Sequence, residues 1–468
     1  MRKANFAILL AKRGTFPTAL LSEARAEMQK KLGELGYGVL MLDEDATPSG
    51  AVETPTDGKV FAQFLRKHTN RYDGVILSLP NFGSEGGVLE ALKGIDVPVL
   101  VHAYPDELDK MDPSLRRDAF CGKFAMMNVL VQFGIKFTIL EPHAVHPQDP
   151  EFASNIEYFS RLCLMVNGMK DFTVGLLGAR TTPFKAVRFD EVALQKKGIT
   201  VETLDLSMVF SKFSQHSDDT EAYRQKEAFL KIYSDFSSVP DMAFRKIVRL
   251  GVVLDEIVDE YQLDAMAVRC WSEIQEELGI SPCVLLGEMN ERGMTAACET
   301  DVCSAVMMRA LQLAGDSAVT SLDWNNNYGR EKDKCILFHC GPVPESMLRS
   351  QGKVVDHELL VSAVGKGCSW GCDVGRIKAM PFTYTGMQTI DGQLECYVGE
   401  GNFTEDAIAE DFFGAAGVAR IENLQKKLIR IGMAGHRHHT NITSGNLAAI
   451  LKEGLVKYLA YNVVDLDE

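Results

Sequence analysis

Four short segments of the chain carry side chains able to bind a cation or move a proton. Cys298-Glu299-Thr300-Asp301 places two acids just ahead of a run rich in Ala, Met and Leu. Acids at a helix start face the positive end of the macrodipole, so helix capping alone accounts for the pair. In Ser321-Leu322-Asp323-Trp324, followed by three Asn residues, an Asp closes an apolar stretch. Consecutive Asn suit a turn, which makes Asp323 either a turn residue or a carboxylate ligand at a strand end. His339 ends the apolar Ile336-Leu337-Phe338 just before Gly341-Pro342, a setting more often structural than ligating. Gly435-His436-Arg437-His438-His439-Thr440 packs three imidazoles into four positions of a chain that has 10 His. Neutral imidazole is a common transition-metal ligand, and a solvated polar loop is the competing reading. In an extended segment neighbours point to opposite faces, so one of His438 and His439 is expected at a given site. Two carboxylates and two imidazoles form an oxygen and nitrogen donor set suited to Mn²⁺ or a similar divalent ion.

A fifth segment, Gly178-Ala179-Arg180-Thr181-Thr182-Pro183-Phe184-Lys185-Ala186-Val187-Arg188, is basic and follows an apolar strand. Open α/β sheets bind ligands at the carboxyl ends of their strands. Arg180, Lys185 and Arg188 there can hold sugar hydroxyls or an anionic group, or pair with Asp190 and Glu191 at a helix start. Asn81-Phe82-Gly83-Ser84-Glu85-Gly86-Gly87 lacks both the dinucleotide glycine spacing and the P-loop lysine. His143 and His146 read as structural, and Trp324 and Trp370 either stack on a sugar face or pack in a core.

The elements that must position these residues change along the chain. Short runs at Phe6–Leu10, Gly38–Leu42, Asp73–Ser78 and Val97–His102 read as strands, with helical spacing between them over Leu20–Leu35, Val60–His68 and Gly86–Leu92. That alternation implies a parallel sheet covered on both faces. It restarts at Asp171 with the strand Phe172–Leu177. A helix over Ala186–Lys197, strands at Thr200–Leu204, Leu263–Arg269 and Cys283–Leu286, and a helix over Asp301–Ala314 follow. Beyond about residue 320, strands at Cys335–His339, Val374–Ala379 and Gln393–Val398 alternate with Gly and polar turns, until a final helix over Leu447–Tyr458. The expected class is α/β: two doubly wound α/β domains, residues 1–170 and 171–317, followed by a mostly β carboxyl-terminal domain, residues 318–468.

Composition removes several classes. With 49 Lys+Arg against 64 Asp+Glu and a net charge of -15, binding through phosphate neutralisation is disfavoured, and nucleic acid is not an expected partner. No apolar run reaches the ~18–20 residues of a membrane helix. The apolar stretch near the amino terminus is shorter than a signal-peptide core. The 11 Cys are scattered without zinc-type pairs. These features imply a cytoplasmic protein with no membrane partner.

The combination of Glu299, Asp323, His339 and the His438-His439-Thr440 run resembles, in order and approximate spacing, the L-fucose isomerase and L-arabinose isomerase superfamily, as does the three-part layout. Cys298-Glu299-Thr300-Asp301 is similar to the family's catalytic glutamate segment. Leu322-Asp323-Trp324 is similar to its second acidic ligand. His339 corresponds to the additional imidazole of the arabinose isomerases, and His439 to the last ligand. Asp at 323 follows the fucose isomerases, whereas His339 and the chain length follow the arabinose isomerases, so the chain resembles a divergent branch. The resemblance implies a Mn²⁺-dependent or similar metal-dependent aldose-ketose isomerase acting on an open-chain sugar by cis-enediol proton transfer between C2 and C1. Glu299 and Asp323 would be both ligands and the proton-transfer pair, with His439 and His339 completing the metal site. Trp324, His438, Arg180, Lys185 and Arg188 would contact the sugar. It also implies a homo-oligomer, a trimer or hexamer. Two other readings stand beside this one. In the first, Arg180 and Arg188 hold an anionic sugar such as sulfoquinovose. In the second, the protein is a non-catalytic cytoplasmic sugar-binding protein.

Overall fold

In the computed structural model, which describes residues 2–467, the Val-, Ile- and Leu-rich runs near the amino terminus pair as a parallel sheet. Its strands are β1 (Asn5–Leu10), β2 (Gly38–Met41), β3 (Gly74–Leu79) and β4 (Val99–Ala103), in the order β2-β1-β3-β4. Every residue of β3 and β4 is buried, as expected when helices cover both faces. The helices Ala19–Glu34, Pro55–Lys67 and Glu85–Ala91 alternate with the strands. Thr54 starts the second of these by a reciprocal capping box with Asp57, with Pro at its first position. These elements form a unit that ends at Asn167; a second unit begins at Gly168.

The second unit contains two sheets. Parallel strands β5 (Phe172–Leu177), β6 (Ile199–Leu204), β7 (Ala265–Val268) and β8 (Thr295–Ala297) run in the order β6-β5-β7-β8. The other sheet comprises β9 (Val319–Asn327), β10 (Lys334–His339), β11 (Lys353–Asp356), β12 (Trp370–Arg376), β13 (Met380–Ile390), β14 (Gln393–Phe403), β15 (Ala415–Arg420), β16 (His439–Ser444) and β17 (Asn462–Val464). Its order is β11-β12-β15-β10-β9-β16-β13-β14-β17, and an additional β14–β15 pairing closes a barrel-like ring. Leu322, Leu337, Phe382, Tyr384, Tyr397, Phe403 and Ile442 fill the core beneath it. Two glycines make room for the rings: a Cβ on Gly386 would lie 2.3 Å from Tyr397, and one on Gly399 would lie 2.3 Å from Tyr384.

The expected α/β architecture with a strand-rich carboxyl-terminal region is present. Several elements differ from expectation. Cys283–Leu286, expected as a strand, opens the helix Cys283–Glu291; a short apolar run does not distinguish a strand from a helix buried nearly all round. The helix expected over 186–197 is only Glu191–Gln195, because Asp190 caps it and Arg188 is extended. The Asn run, expected as a turn, is the exposed end of β9, paired with β10 across a bulge. The last helix is α-helical over Ala448–Glu453 and continues as a π-helix over Gly454–Tyr458. The helix Leu424–Met433 and strand β8 were not foreseen from the sequence.

Candidate active site

Glu299 lies two residues beyond β8, in a backbone conformation that few residues adopt. Glu299 has φ 61° and Thr300 has φ 58°. Left-handed geometry costs of order 1–3 kcal/mol at a residue that is not glycine, and more readily so when the residue is β-branched. Fixed hydrogen bonds hold the turn: the Thr300 N–H donates to the Val268 carbonyl at 3.0 Å, and the Asp301 N–H to the Cys298 carbonyl at 3.1 Å. Asp301 then caps the helix Val302–Gly315, accepting from the Ser304 N–H at 3.0 Å and its hydroxyl at 2.9 Å. Capping and chemistry therefore divide between two neighbouring acids. Asp301 closes the helix, and Glu299 is left to face the cluster.

Strand register supplies the facing residues. β9 and β16 are antiparallel with Asp323 directly opposite His439, and Asp323 also pairs across β10 with Phe338, the neighbour of His339. Residues opposite each other share a sheet face, which puts the Asp323 carboxylate beside the His439 imidazole. His439 Nε2 lies 2.9 Å from Glu299 Oε2 and 3.6 Å from Asp323 Oδ1, while its Nδ1 lies 2.7 Å from Asp301 Oδ2. The Trp271 indole N–H donates to Glu299 Oε1 at 3.0 Å. Arg437, with its side chain 7% exposed, ion-pairs with Asp301. Ligand atoms of Glu299, His438 and His439 lie within 4.8 Å of one another, as do those of Asp323, His339 and His439.

The charges set one another. Burial works against ionised Glu299, but the hydrogen bond from His439 and the positive charge of His339 and His439 outweigh it, bringing its pKa down to about 2. Asp301 is likewise held well below the usual carboxylate range, where the Arg437 guanidinium and His439 overcome burial. Burial alone would lower the pKa of His439; hydrogen bonds to Asp301 and Glu299 instead raise it to about 10. Without a metal, His439 is thus an imidazolium at a point where three carboxylates converge, a place suited to a cation. Two further atoms favour the same reading: Asp323 Oδ1 and His339 Nε2 are buried and have no hydrogen-bond partner among the described residues. Unpaired buried donors and acceptors are costly, and a coordinated ion satisfies them. The donor set of carboxylate oxygens and imidazole nitrogens fits a divalent ion of the Mn²⁺ type.

The structure brings Glu299, Asp323, His339, His438 and His439 together. Both members of the His438-His439 pair reach the cluster, contrary to the alternation expected of an extended segment. β16 begins only at His439, so His438 lies in the preceding turn, with its Nε2 3.8 Å from Asp323 Oδ1. Trp324, expected to touch the substrate, packs the other way. It is the next residue along β9, its ring is edge-on to Tyr384, and its indole N–H donates to the Tyr397 hydroxyl at 3.2 Å. The basic segment adjoins the cluster through Phe184, whose ring lies 5.3 Å from His438 and 5.7 Å from His439. Arg180 spends Nη1 on the carbonyls of Thr181, Thr182 and Phe184, and Arg188 donates its Nε to the Lys185 carbonyl. Lys185 is exposed. Trp271, Arg437, Phe184 and the second role of Asp301 were not read from the sequence. Trp271 offered one signal, since it follows β7 at a strand carboxyl end.

Comparison with known proteins gives two family matches and several distant relatives. Residues 7–170 match the fucose/sulfoquinovose isomerase N-terminal domain, and residues 337–467 match the L-fucose isomerase C-terminal domain. A sulfoquinovose isomerase from Priestia aryabhattai is 21% identical over 390 residues, covering 82% of this chain and 83% of its own. One from Alkalicoccus urumqiensis is 21% identical over 341 residues, covering 72% of each chain. The two family matches together span well over half of the sequence and bracket the helix that follows Glu299. The chain is therefore a divergent member of the fucose/sulfoquinovose isomerase family and an enzyme that interconverts aldoses and ketoses.

Proposed function

We propose that the protein is a divalent-metal-dependent isomerase that moves a proton between C2 and C1 of an open-chain aldose through a cis-enediol. The observation that carries this reading is the convergence of Glu299, Asp323 and His439 around buried atoms of Asp323 and His339 that make no hydrogen bond among the described residues. Glu299, Asp323, His439 and His339 would hold the ion. A bound Mn²⁺ or similar ion would supply Lewis-acid polarisation and a template for the two sugar oxygens.

The protein's own groups do the rest. Glu299 and Asp323 arise from different layers, one after β8 and one on β9, and form the acid-base pair across the reacting carbons. The Trp271 N–H fixes one oxygen of Glu299, leaving the other directed at the site. Asp301 accepts at Nδ1 of His439 and so directs Nε2 toward the same place. Glu299→Gln keeps the shape and removes the base, so turnover should fall to background while the melting profile is retained. Undiminished ketose formation would refute the assignment.

A second reading concerns the substrate. The relatives named above are sulfoquinovose isomerases, and the segment bearing Arg180, Lys185 and Arg188 adjoins the cluster through Phe184. These features support an anionic, sulfonated sugar. Assaying neutral aldoses, 6-deoxy aldoses and 6-sulfo aldoses with Mn²⁺ separates the two substrate classes. Equal turnover of neutral and sulfonated sugars by wild type and by a Lys185→Ala variant would remove the anionic reading.

A further inference from the structure

Behind Glu299 lies a group of thiols for which the isomerase reaction has no use. Cys270 follows β7, Cys283 opens the helix Cys283–Glu291, Cys298 follows β8, Cys340 follows β10, and Cys372 lies within β12. All are unbridged. The Cys298 thiol neighbours those of Cys270 and Cys283. The Cys372 thiol lies 3.8 Å from Cys283 Sγ. The backbones behind this last pair are in direct contact: the Ser281 N–H donates to the Trp370 carbonyl at 2.8 Å, and a Cβ on Gly371 would lie 2.1 Å from the Ser281 carbonyl oxygen.

We propose that Cys283 and Cys372 are an oxidisable dithiol, a modification site that joins the α/β layer to the barrel-like sheet when a peroxide closes it to a disulfide. The sulfurs need to approach from 3.8 Å to a bond of about 2.05 Å. Cys283 is the nucleophile. The neighbouring Cys298 and Cys372 thiols hold its own thiol below the usual cysteine range against burial, and the Cys372 thiol donates to it.

The chemistry balances as a two-electron exchange. The Cys283 thiolate attacks one oxygen of hydrogen peroxide, the O–O bond breaks, and the departing hydroxide takes up the thiol proton as water. Cys372 then attacks the resulting sulfenic sulfur, the S–O bond breaks, and the oxygen leaves as water with the second thiol proton. Two thiols are oxidised, and one peroxide becomes two waters.

Closing the bridge moves Cys283 Sγ away from the Cys298 thiol, and Cys298 is the residue before Glu299. A shift of Cys298 carries directly into the left-handed turn that bears the carboxylate. Misplacement on the ångström scale costs about 10- to 100-fold in rate.

The test uses the full chain, treated with hydrogen peroxide and digested with trypsin without reductant. Cys283 falls in the peptide 270–292 and Cys372 in the peptide 367–376. Fragmentation should assign a cross-link to Cys283 and Cys372, and dithiothreitol should remove it. Isomerase activity should fall about 10- to 100-fold with bridge formation and return on reduction, an arm that rests on the proposed function. Cys372→Ser should lose both the cross-link and the reversible inactivation. The cross-link arm stands without any sugar assay, so failure of the isomerase reading leaves it intact. Oxidation confined to other cysteines, or equal reversible inactivation of Cys372→Ser, would overturn the proposal.

Discussion

Replacing Asp301 by Asn tests whether an outer carboxylate sets the chemistry of His439. Asp301 is fully buried and accepts from His439 Nδ1 at 2.7 Å, from the Ser304 N–H at 3.0 Å, from its hydroxyl at 2.9 Å and from Arg437. Asparagine keeps the size and one acceptor oxygen, so the helix cap can persist. It loses the charge, and its amide can offer an N–H to Nδ1, favouring the tautomer with the proton on Nε2, the nitrogen that faces Glu299. Arg437 is left buried without its counter-charge, which costs about 3–5 kcal/mol of stability. Loss of an outer-shell carboxylate costs about 10–100-fold in metal affinity or activity. The assays are urea unfolding of metal-free protein and Mn²⁺ titration of isomerase activity. The Mn²⁺ midpoint of Asp301→Asn should rise by that same 10–100-fold. Adding Arg437→Met removes the stranded charge, so part of the stability should return while the Mn²⁺ midpoint stays weak. A folded Asp301→Asn variant with wild-type midpoint and wild-type kcat/KM would refute the reasoning.

Trp271→Phe removes the N–H held 3.0 Å from Glu299, a hydrogen bond to a charged group of about 1.5–3 kcal/mol. The acid limb of the kcat/KM profile should move to higher pH, and an unmoved limb would remove Trp271 from the site. Trp324→Phe should cost about 1 kcal/mol through loss of its bond to Tyr397 and leave KM unchanged; a raised KM would restore it to the sugar. In chelator, His439 contributes stability that is complete below its ordinary value of 6.5 and is lost as pH rises through about 10. Glu299 contributes stability that is present above 4.5 and is lost as pH falls toward about 2. Thermal melts in chelator should therefore decline from pH 7 to 10, and a rise over that window would contradict the imidazolium. Divalent-ion binding near pH 7 should release a proton, measurable by calorimetry in buffers of different ionisation enthalpy.

The parts legible in the sequence were those with a period or a contrast. Buried parallel strands such as Gly74–Leu79 appear as unbroken apolar runs, and Glu299, Asp323, His339 and the imidazole run stand out as polar residues at the ends of such runs. Residues whose role depends on long-range closure were hidden. Arg437 reads as one more polar residue of a histidine-rich turn until the fold sets it against Asp301, 136 positions away. Trp324 could not be assigned to a face before the register of β9 was known, and Cys283–Leu286 had no flanking contrast to separate helix from strand.

The direct opposition of Asp323 and His439 across two antiparallel strands has a consequence for how this site can be inherited. Ladder hydrogen bonds, and no fixed number of intervening residues, set their distance. Loops between β10 and β16 can lengthen or shorten freely provided the two strands do not slip. A slip of one residue would turn the imidazole to the opposite face and dismantle the cluster at a stroke. In this part of the chain the site is thus fixed by alignment between neighbouring strands and not by linear spacing.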